Sequence, residues 1–155
     1  MKNEALKQAI DRHGNMVYRI AMSILGNAED AEDAAQNTFL RYYRKAPAFQ
    51  NEEHEKAWLI RCAVNCAKSL CTARNRHRHE NLEDYRTAAA PARSLPELLW
   101  CLPIKDRIVL QLKYVEGYTS KEIAEMIGGS DASVRKRIQR AKERAEELYR
   151  KEALV

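Results

Sequence analysis

The sequence predicts an all-α protein made of two small helical domains joined by a flexible linker, and three observations support this. Ala occurs 22 times and Gly five times in 155 residues, and Ala is the strongest helix former while Gly is among the weakest. Apolar residues recur at helical spacing on both sides of the stretch 78–96. That stretch contains Pro91 and Pro96 and few large apolar residues, which predicts a linker between domains at 1–77 and 97–155.

Composition also limits where the protein can act. The longest unbroken apolar run, residues 98–102, has five residues, whereas a bilayer requires about 20. The N-terminus, MKNEALKQAIDRHG, lacks the apolar stretch of a secretion signal, so we expect a cytoplasmic protein with no direct membrane insertion. With 27 Lys and Arg against 22 Asp and Glu, the net charge is +5, which permits a polyanionic partner.

The first domain is predicted to contain three or four helices. The first covers about residues 3–25 and allows a break at 13–14. The second follows a cap at Asn27 and stops at Pro47, because the residue before a proline avoids the helical conformation. On its polar side Leu40 falls beside Asp33, and an exposed Leu there either marks a protein contact or is an ordinary surface residue.

The third helix, about residues 53–76, has a broad apolar face that includes Cys62 and Cys66. Opposite lie Arg61, Asn65 and Lys68, which we call the polar stripe. Cationic and amide groups along one edge suit a nucleic-acid backbone or a single strand. A solvated helix face is the alternative interpretation.

The second domain ends in a predicted helix-turn-helix. A short helix over 98–102 comes first, and Pro103 opens the next helix, whose apolar positions run from Ile104 to Val115. Thr119 or Ser120 then caps a helix in which Glu122 completes a capping box. Residues 128–130 form a turn, and Ser130 caps the last helix.

The last helix carries six basic residues against two acidic ones over 131–144. Val134, Ile138 and Ala141 form an inward stripe. Four polar residues point away from this stripe or flank it, and we call them the recognition face: Arg135, Lys136, Gln139 and Arg140. A helix in the major groove could place such side chains on base edges. An ordinary helical hairpin with a charged outer face is the alternative.

No catalytic residue, metal site or cofactor is predicted, and we expect that the protein is not an enzyme. Cys62, Cys66 and Cys71 follow a C-x3-C-x4-C pattern, which is not the close paired spacing of structural zinc sites. The four histidines show no ligand spacing, and no nucleotide-binding Gly loop is present.

Two blocks of the sequence together resemble the extracytoplasmic-function sigma factors, compact promoter-recognition subunits of bacterial RNA polymerase. The first comprises DAEDAAQNTFLRYYRKAPAFQ (30–50) and KAWLIRCAVNCAKSL (56–70), which are similar to the family's second conserved region. The other, LPIKDRIVLQLKYVEGYTSKEIAEMIGGSDASVRKRIQRAKERAEEL (102–148), is similar to the fourth. A non-sigma helix-turn-helix regulator is the rival reading, and it would not need the first block.

The resemblance implies a role for each group of residues. Core RNA polymerase would be bound through Asp33, Gln36, Asn37 and Leu40. Promoter DNA would be held at the minus-10 element by Gln50, Asn51 and His54 of the loop 49–54 and by Arg61, Asn65 and Lys68. At the minus-35 element, Thr119 and Ser133 would contact phosphates while Arg135, Lys136, Gln139 and Arg140 face bases. The resemblance also implies an anti-sigma partner, which could hold the protein at the membrane.

Three positions depart from the family pattern. Asn37 stands where the family usually has an acidic residue. Gly129 stands where the turn before the recognition helix usually has an apolar residue. The loop residues 50–54 match no motif closely, so the sequence does not specify the preferred minus-10 bases.

Overall fold

The computed structural model describes residues 1–80 and 99–153, with side chains described for 1–73 and 99–151. The regular elements described there are helices, which confirms the all-α prediction with two helical domains. The bounds are α1 Lys2–Leu25, α2 Ala28–Lys45, α3 Glu52–Glu80, α4 Ile104–Leu110, α5 Ser120–Ile127 and α6 Asp131–Ala153. Most of the predicted linker and part of the predicted helix over 98–102 lie outside the described residues. Residues 99–102 form a turn closed by the Leu102 N–H and the Leu99 carbonyl at 3.1 Å.

Helices α1, α2 and α3 pack on one another and form the core of the first domain. The possible break at 13–14 is absent, because α1 runs without interruption to Leu25. His13 is buried within it, and its Nε2 atom lies 3.2 Å from Oε1 of Glu55 on α3. Gly26 ends α1 with φ 77°, a left-handed conformation that glycine adopts without a steric penalty.

The predicted cap at Asn27 is confirmed, since its side-chain oxygen accepts the Asp30 N–H at 2.8 Å. Asp30 itself is buried. The Asn27 amide donates to its carboxylate at 2.9 Å, which offsets part of the cost of burial. Near the end of α2, Tyr42 is buried while the adjacent Tyr43 is exposed.

Helix α3 extends to Glu80, four residues past its predicted end at 76. The expected domain boundary at 77 therefore falls inside a helix. Within the described side chains of α3, Leu59, Ile60, Cys62, Ala63, Val64 and Ala67 are buried.

A π-helical turn at Gln111–Val115 follows α4 directly. The Glu116 N–H reaches the Gln111 carbonyl, five residues earlier, at 3.0 Å. Because a π turn holds more residues than an α turn, it rotates the side chains that follow out of the earlier apolar register. Val115, which was predicted to point inward, is consequently 59% exposed, while Leu112 remains fully buried.

The helix-turn-helix prediction is confirmed by the geometry of α5 and α6. Thr119 and Glu122 form the predicted capping box at the start of α5. Gly128 and Gly129 have φ of 94° and 97°, backbone angles that few other residues adopt. Ser130 then caps α6 by accepting the Ser133 N–H at 3.1 Å.

The two domains contact each other through α1 with α4 and α3 with α5. Arg19 on α1 donates to both carboxylate oxygens of Glu116, at 2.9 and 3.3 Å. The ammonium group of Lys56 on α3 lies 5.5 Å from the ring centre of Tyr118. Among the described helices, none is both long and apolar enough to span a membrane.

Candidate nucleic-acid interface

The recognition face is exposed along one side of α6. Arg135, Lys136, Gln139 and Arg140 are all exposed, while Val134, Ile138 and Ala141 are buried against α4 and α5, as predicted. Two of the exposed side chains have partners on α6 itself. The Arg135 guanidinium lies 3.5 Å from the Asp131 carboxylate, and the Gln139 amide donates to Glu143 at 3.1 Å.

Two other arginines of α6 hold a buried carboxylate, which the sequence analysis did not predict. Asp106 on α4 is fully buried. Arg144 lies 2.6 Å from its Oδ2 atom, and Arg137 lies 3.4 Å from its Oδ1 atom. The available signal was the position of Asp106 between the apolar residues Ile104 and Ile108. Of the six basic residues over 131–144, two therefore serve packing rather than a free basic surface.

Thr119 and Ser133, the predicted phosphate contacts, are exposed and lie at the starts of α5 and α6. The Thr119 hydroxyl accepts the Glu122 N–H at 3.2 Å, and the Glu122 carboxylate accepts the Thr119 N–H at 3.0 Å. This second bond lowers the pKa of Glu122. The Ser133 hydroxyl accepts the Ser130 N–H at 3.0 Å and donates to the Ser130 carbonyl at 2.9 Å. Both hydroxyl groups thus already bind the backbone.

The three residues of the loop 49–54 that were predicted at the minus-10 element lie together at the start of α3, with Gln50 and Asn51 just before the helix and His54 in its first turn. Asn51 accepts the His54 N–H at 2.8 Å, and His54 Nδ1 accepts the Gln50 N–H at 3.2 Å. The His54 ring packs edge-on against Phe49, with centroids 5.2 Å apart. Phe49 in turn contacts Tyr42 and the Trp58 ring on α3. These contacts fix the loop on the aromatic end of the first domain.

Tyr42 connects this aromatic cluster to the pair formed by His13 on α1 and Glu55 on α3. Its hydroxyl donates to Oε2 of Glu55 at 3.0 Å, while His13 approaches Oε1 of the same carboxylate. Burial and this hydrogen bond raise the pKa of Tyr42 to about 12. The phenol therefore stays protonated and remains a donor at neutral pH.

The polar stripe of α3 faces the end of α5 in this structure. The Arg61 Nε atom donates to the Met126 carbonyl at 2.9 Å, and its Nη2 atom donates to the Glu125 carbonyl at 2.5 Å. Asn65 and Lys68 line a cavity of about 290 Å³ between α3 and the same segment. Sequence reasoning placed these residues on one face but did not foresee that the second domain contacts it.

The residues expected to contact polymerase form an exposed surface on α2. Asp33, Gln36, Asn37 and Leu40 are all exposed, and Leu40 has 52% of its surface accessible. Leu40 and Gln36 line a groove of about 780 Å³ between α1 and α2, together with the exposed side chains of Ile10 and Tyr43. An apolar groove with a polar rim is typical of a protein contact.

Comparison with protein-family models matches both halves of the chain to regions of the sigma-70 family. Residues 9–77 match sigma-70 region 2, and residues 92–144 match sigma-70 region 4. The RNA polymerase sigma factor SigE of Mycolicibacterium smegmatis is 30% identical over 93% of this chain, which spans 61% of SigE. SigM of Mycobacterium tuberculosis is 29% identical over 93% of this chain and 76% of its own length.

The chain belongs to the extracytoplasmic-function sigma factors. Its region 2 includes the surface of α2, the loop and the polar stripe, and its region 4 includes the recognition face.

Two solved structures of sigma factors share the fold. The sigma factor RpoE from Bartonella quintana, solved with the anti-sigma factor NepR, superposes with a TM-score of 0.77 over 95% of this chain and 98% of that chain, at 22% identity. CnrH, solved with the cytosolic domain of CnrY, gives a TM-score of 0.71 over 95% of this chain and 88% of its own length, at 28% identity.

Within the described residues, no group of three or more His, Cys, Asp and Glu side chains could hold a metal ion.

Proposed function

We propose that this chain is a transcription initiation factor that binds core RNA polymerase and brings it to promoters through their minus-10 and minus-35 elements. The observation that supports this proposal best is the presence of both sigma regions in one chain, each with an exposed candidate contact surface. A helix-turn-helix regulator that acts without polymerase would not need the α2 surface or the polar stripe. The protein would act in the cytoplasm as a binding factor rather than an enzyme.

We propose that α6 reads the minus-35 element from the major groove. Its exposed arginines and Gln139 can pair with base acceptors, since Arg commonly binds guanine and Gln binds adenine. Arg137 and Arg144 are bound to Asp106 and therefore orient α6 against α4. Thr119 and Ser133, at the exposed helix starts, lie where backbone N–H groups and hydroxyls commonly meet phosphates.

Minus-10 binding by the polar stripe requires a change in domain arrangement. In this structure Arg61 donates to two backbone carbonyls of α5, so its guanidinium cannot face a DNA strand at the same time. We propose that α5 leaves α3 when the chain binds polymerase. The hydrogen bonds described for Gln50, Asn51 and His54 join these residues to one another, and we propose that they are available to DNA in either arrangement.

For the domain organisation, we propose a region-2 domain up to residue 80 and a region-4 domain from about residue 97. The first domain is proposed to end at residue 80 rather than at the predicted residue 77, because α3 continues to Glu80.

An anti-sigma factor is the second partner that we propose. Two solved sigma factors that share this fold are bound to the anti-sigma factor NepR and to the cytosolic domain of CnrY, respectively. A mainly apolar cavity of about 490 Å³ lies between the domains, lined by Tyr18, Met22, Trp100, Leu110 and Tyr114. A partner that filled it would hold α1 and α4 together. Such a partner could be cytoplasmic or membrane-bound without this chain entering the membrane.

Asp33→Arg is expected to weaken binding of core RNA polymerase by about ten-fold or more, because reversing a charge at a protein contact adds repulsion. Asp33 is exposed, so the fold should remain intact. The measurement is a titration of core polymerase with labelled full-length chain, alongside circular dichroism. Asp11→Arg makes the same charge change at an exposed site on α1 and serves as the control. Equal affinities for the two variants would contradict the assignment of α2.

Arg140→Ala is expected to cost about 1–3 kcal/mol of binding to the preferred minus-35 sequence and to relax preference at one base position. Lys142→Ala is the matched control, since it removes a neighbouring exposed cation. It should weaken all sequences alike, with a change of about one unit in the salt slope, or have no effect. Binding is measured on a set of single-base minus-35 variants at several salt concentrations. Identical, sequence-independent losses for both variants would leave only a basic surface.

A further inference from the structure

A cavity of about 550 Å³ lies between α2 and α3, outside the surfaces described above except at its rim. Its volume is in the range of about 300–1,000 Å³ that is usual for small-molecule sites. Arg41, Arg44 and Lys45 line it from α2, while Asn65 and Cys66 line it from α3. No acidic side chain is among the residues that the structure describes along its wall. The cavity therefore favours an anionic occupant.

Two thiols meet at the inner wall of this cavity. Cys62 is buried one helical turn before Cys66, which is half-buried and lines the cavity. A hydrogen bond with the Cys62 thiol and, more weakly, Thr38 and the positive charge of Arg41 lower the pKa of Cys66 against the opposing effect of burial. The same hydrogen bond raises the pKa of Cys62. Cys66 is thus the more exposed of the two thiols and ionises at a lower pH than an ordinary thiol, and thiolates rather than thiols are the nucleophiles.

We propose that Cys66 is a modification site for small anionic disulfides, which react by thiol–disulfide exchange and leave a mixed disulfide in the cavity. The anionic half of the adduct would lie among Arg41, Arg44 and Lys45. Cys62 acts as a positioning residue, because its hydrogen bond orients and stabilises the reacting sulfur.

The exchange needs no further oxidant, because the disulfide itself accepts the electron pair. The Cys66 thiolate attacks one sulfur of the disulfide and forms a new sulfur–sulfur bond. The original disulfide bond breaks, and the second half leaves as a thiolate that takes the electron pair. Cys66 is oxidised and the leaving half is reduced.

An adduct here would also affect polymerase binding, an inference that rests on the proposed function. Asn37 and Leu40, two of the residues proposed to contact core polymerase, line the same cavity as Cys66. The adduct would occupy the space beside them and change the local charge from cationic toward neutral. Core binding should therefore fall when Cys66 is modified.

The first test uses the full-length chain with oxidised glutathione as the anionic probe and cystamine as the cationic one. After acid quenching, trypsin yields one peptide over 62–68 that contains both thiols, and fragment ions assign the adduct to Cys66 or Cys62. We expect the adduct on Cys66, with a rate that is half-maximal at a pH clearly below the ordinary thiol value. Cys62→Ala should move this midpoint upward. A midpoint near the ordinary thiol value of about 8.5, or an adduct on Cys62, would overturn the proposal.

Charge variants test the preference for anions. Arg44→Ala combined with Lys45→Ala should reduce the ratio of the glutathione rate to the cystamine rate at Cys66 by about five-fold or more. The control combines Lys121→Ala and Lys142→Ala, which remove two exposed cations from the second domain. An equal ratio in wild type and in the cavity variant would overturn the assignment of the cavity.

A third experiment compares the affinity of the full-length chain for core polymerase before and after treatment with oxidised glutathione. We expect about a five-fold loss of affinity for treated wild type and none for treated Cys66→Ser. Loss in both chains, or in neither, would overturn the effect of the adduct on polymerase binding. If the adduct forms with the expected pH profile but the untreated chain does not bind core polymerase, the proposed function fails while the modification site stands.

Discussion

Replacing both Arg137 and Arg144 by alanine is expected to lower the free energy of unfolding by about 3–5 kcal/mol, because the double change removes both ion-pair partners that the described side chains offer to a buried carboxylate. Asp106 has no accessible surface, and these two guanidinium groups lie 3.4 and 2.6 Å from its oxygens. The arginines themselves are partly exposed, so their own loss of packing is the smaller effect. Urea unfolding of the full-length chain at neutral pH, followed by circular dichroism, measures the change.

Two further variants make this test specific. Lys136→Ala with Lys142→Ala removes the same number of charges from exposed positions of α6, where surface changes usually cost within about ±0.5 kcal/mol each. Adding Asp106→Asn to the Arg137→Ala and Arg144→Ala chain should recover part of the lost stability, since a neutral amide is less costly to bury than a carboxylate. Equal losses for both pairs of cations, with no recovery by Asp106→Asn, would show that the pairing contributes nothing.

Val134→Asp is expected to unfold the helix-turn-helix, with a loss of more than about 4 kcal/mol, because it places an unpaired charge in the core between α4, α5 and α6. Val134 is only 4% exposed. Val115→Asp is a matched control in the same domain, because that valine is 59% exposed after the π turn. Circular dichroism and thermal unfolding of the full-length chain distinguish them. Native helicity and an unchanged melting temperature in Val134→Asp would contradict the inward position of this stripe.

Local sequence signals predicted the parts of the fold that depend on near neighbours. Asn27, Thr119 and Ser130 each cap a helix through a residue three positions later, so the pattern is contained in a few residues. The spacing of Val134, Ile138 and Ala141 likewise placed the recognition face on the outer side of α6. These features follow from helix geometry alone.

The features that the sequence left open, missed or misplaced depend on distant partners or on a change of helical register. His13 remains in an unbroken helix because it packs toward Glu55, which is remote in sequence. Val115 is exposed because the π turn shifts the apolar register. Asp106 is buried only because two arginines more than 30 residues later reach it. None of these could be derived from periodicity in a short window.

In the candidate nucleic-acid interface, too, the sequence predicted the local features but not those that depend on distant contacts. The sequence placed Arg61, Asn65 and Lys68 on one helical face, and the structure keeps them there. That the face contacts Glu125 and Met126 of α5 depends on how the two domains meet. Such a long-range contact has no local signature. Under the proposed function, Arg61 would reach promoter DNA only after the domains separate.

Run-off transcription with purified core RNA polymerase on a library of promoter sequences tests the central claim most directly. The account predicts transcripts that appear only when the chain is added, start at a defined distance from shared minus-10 and minus-35 elements, and decrease with Asp33→Arg. It also predicts that Arg140→Ala changes the selected minus-35 bases. If the chain binds the same DNA but yields no transcript above core polymerase alone, it is a helix-turn-helix regulator and the initiation role is wrong.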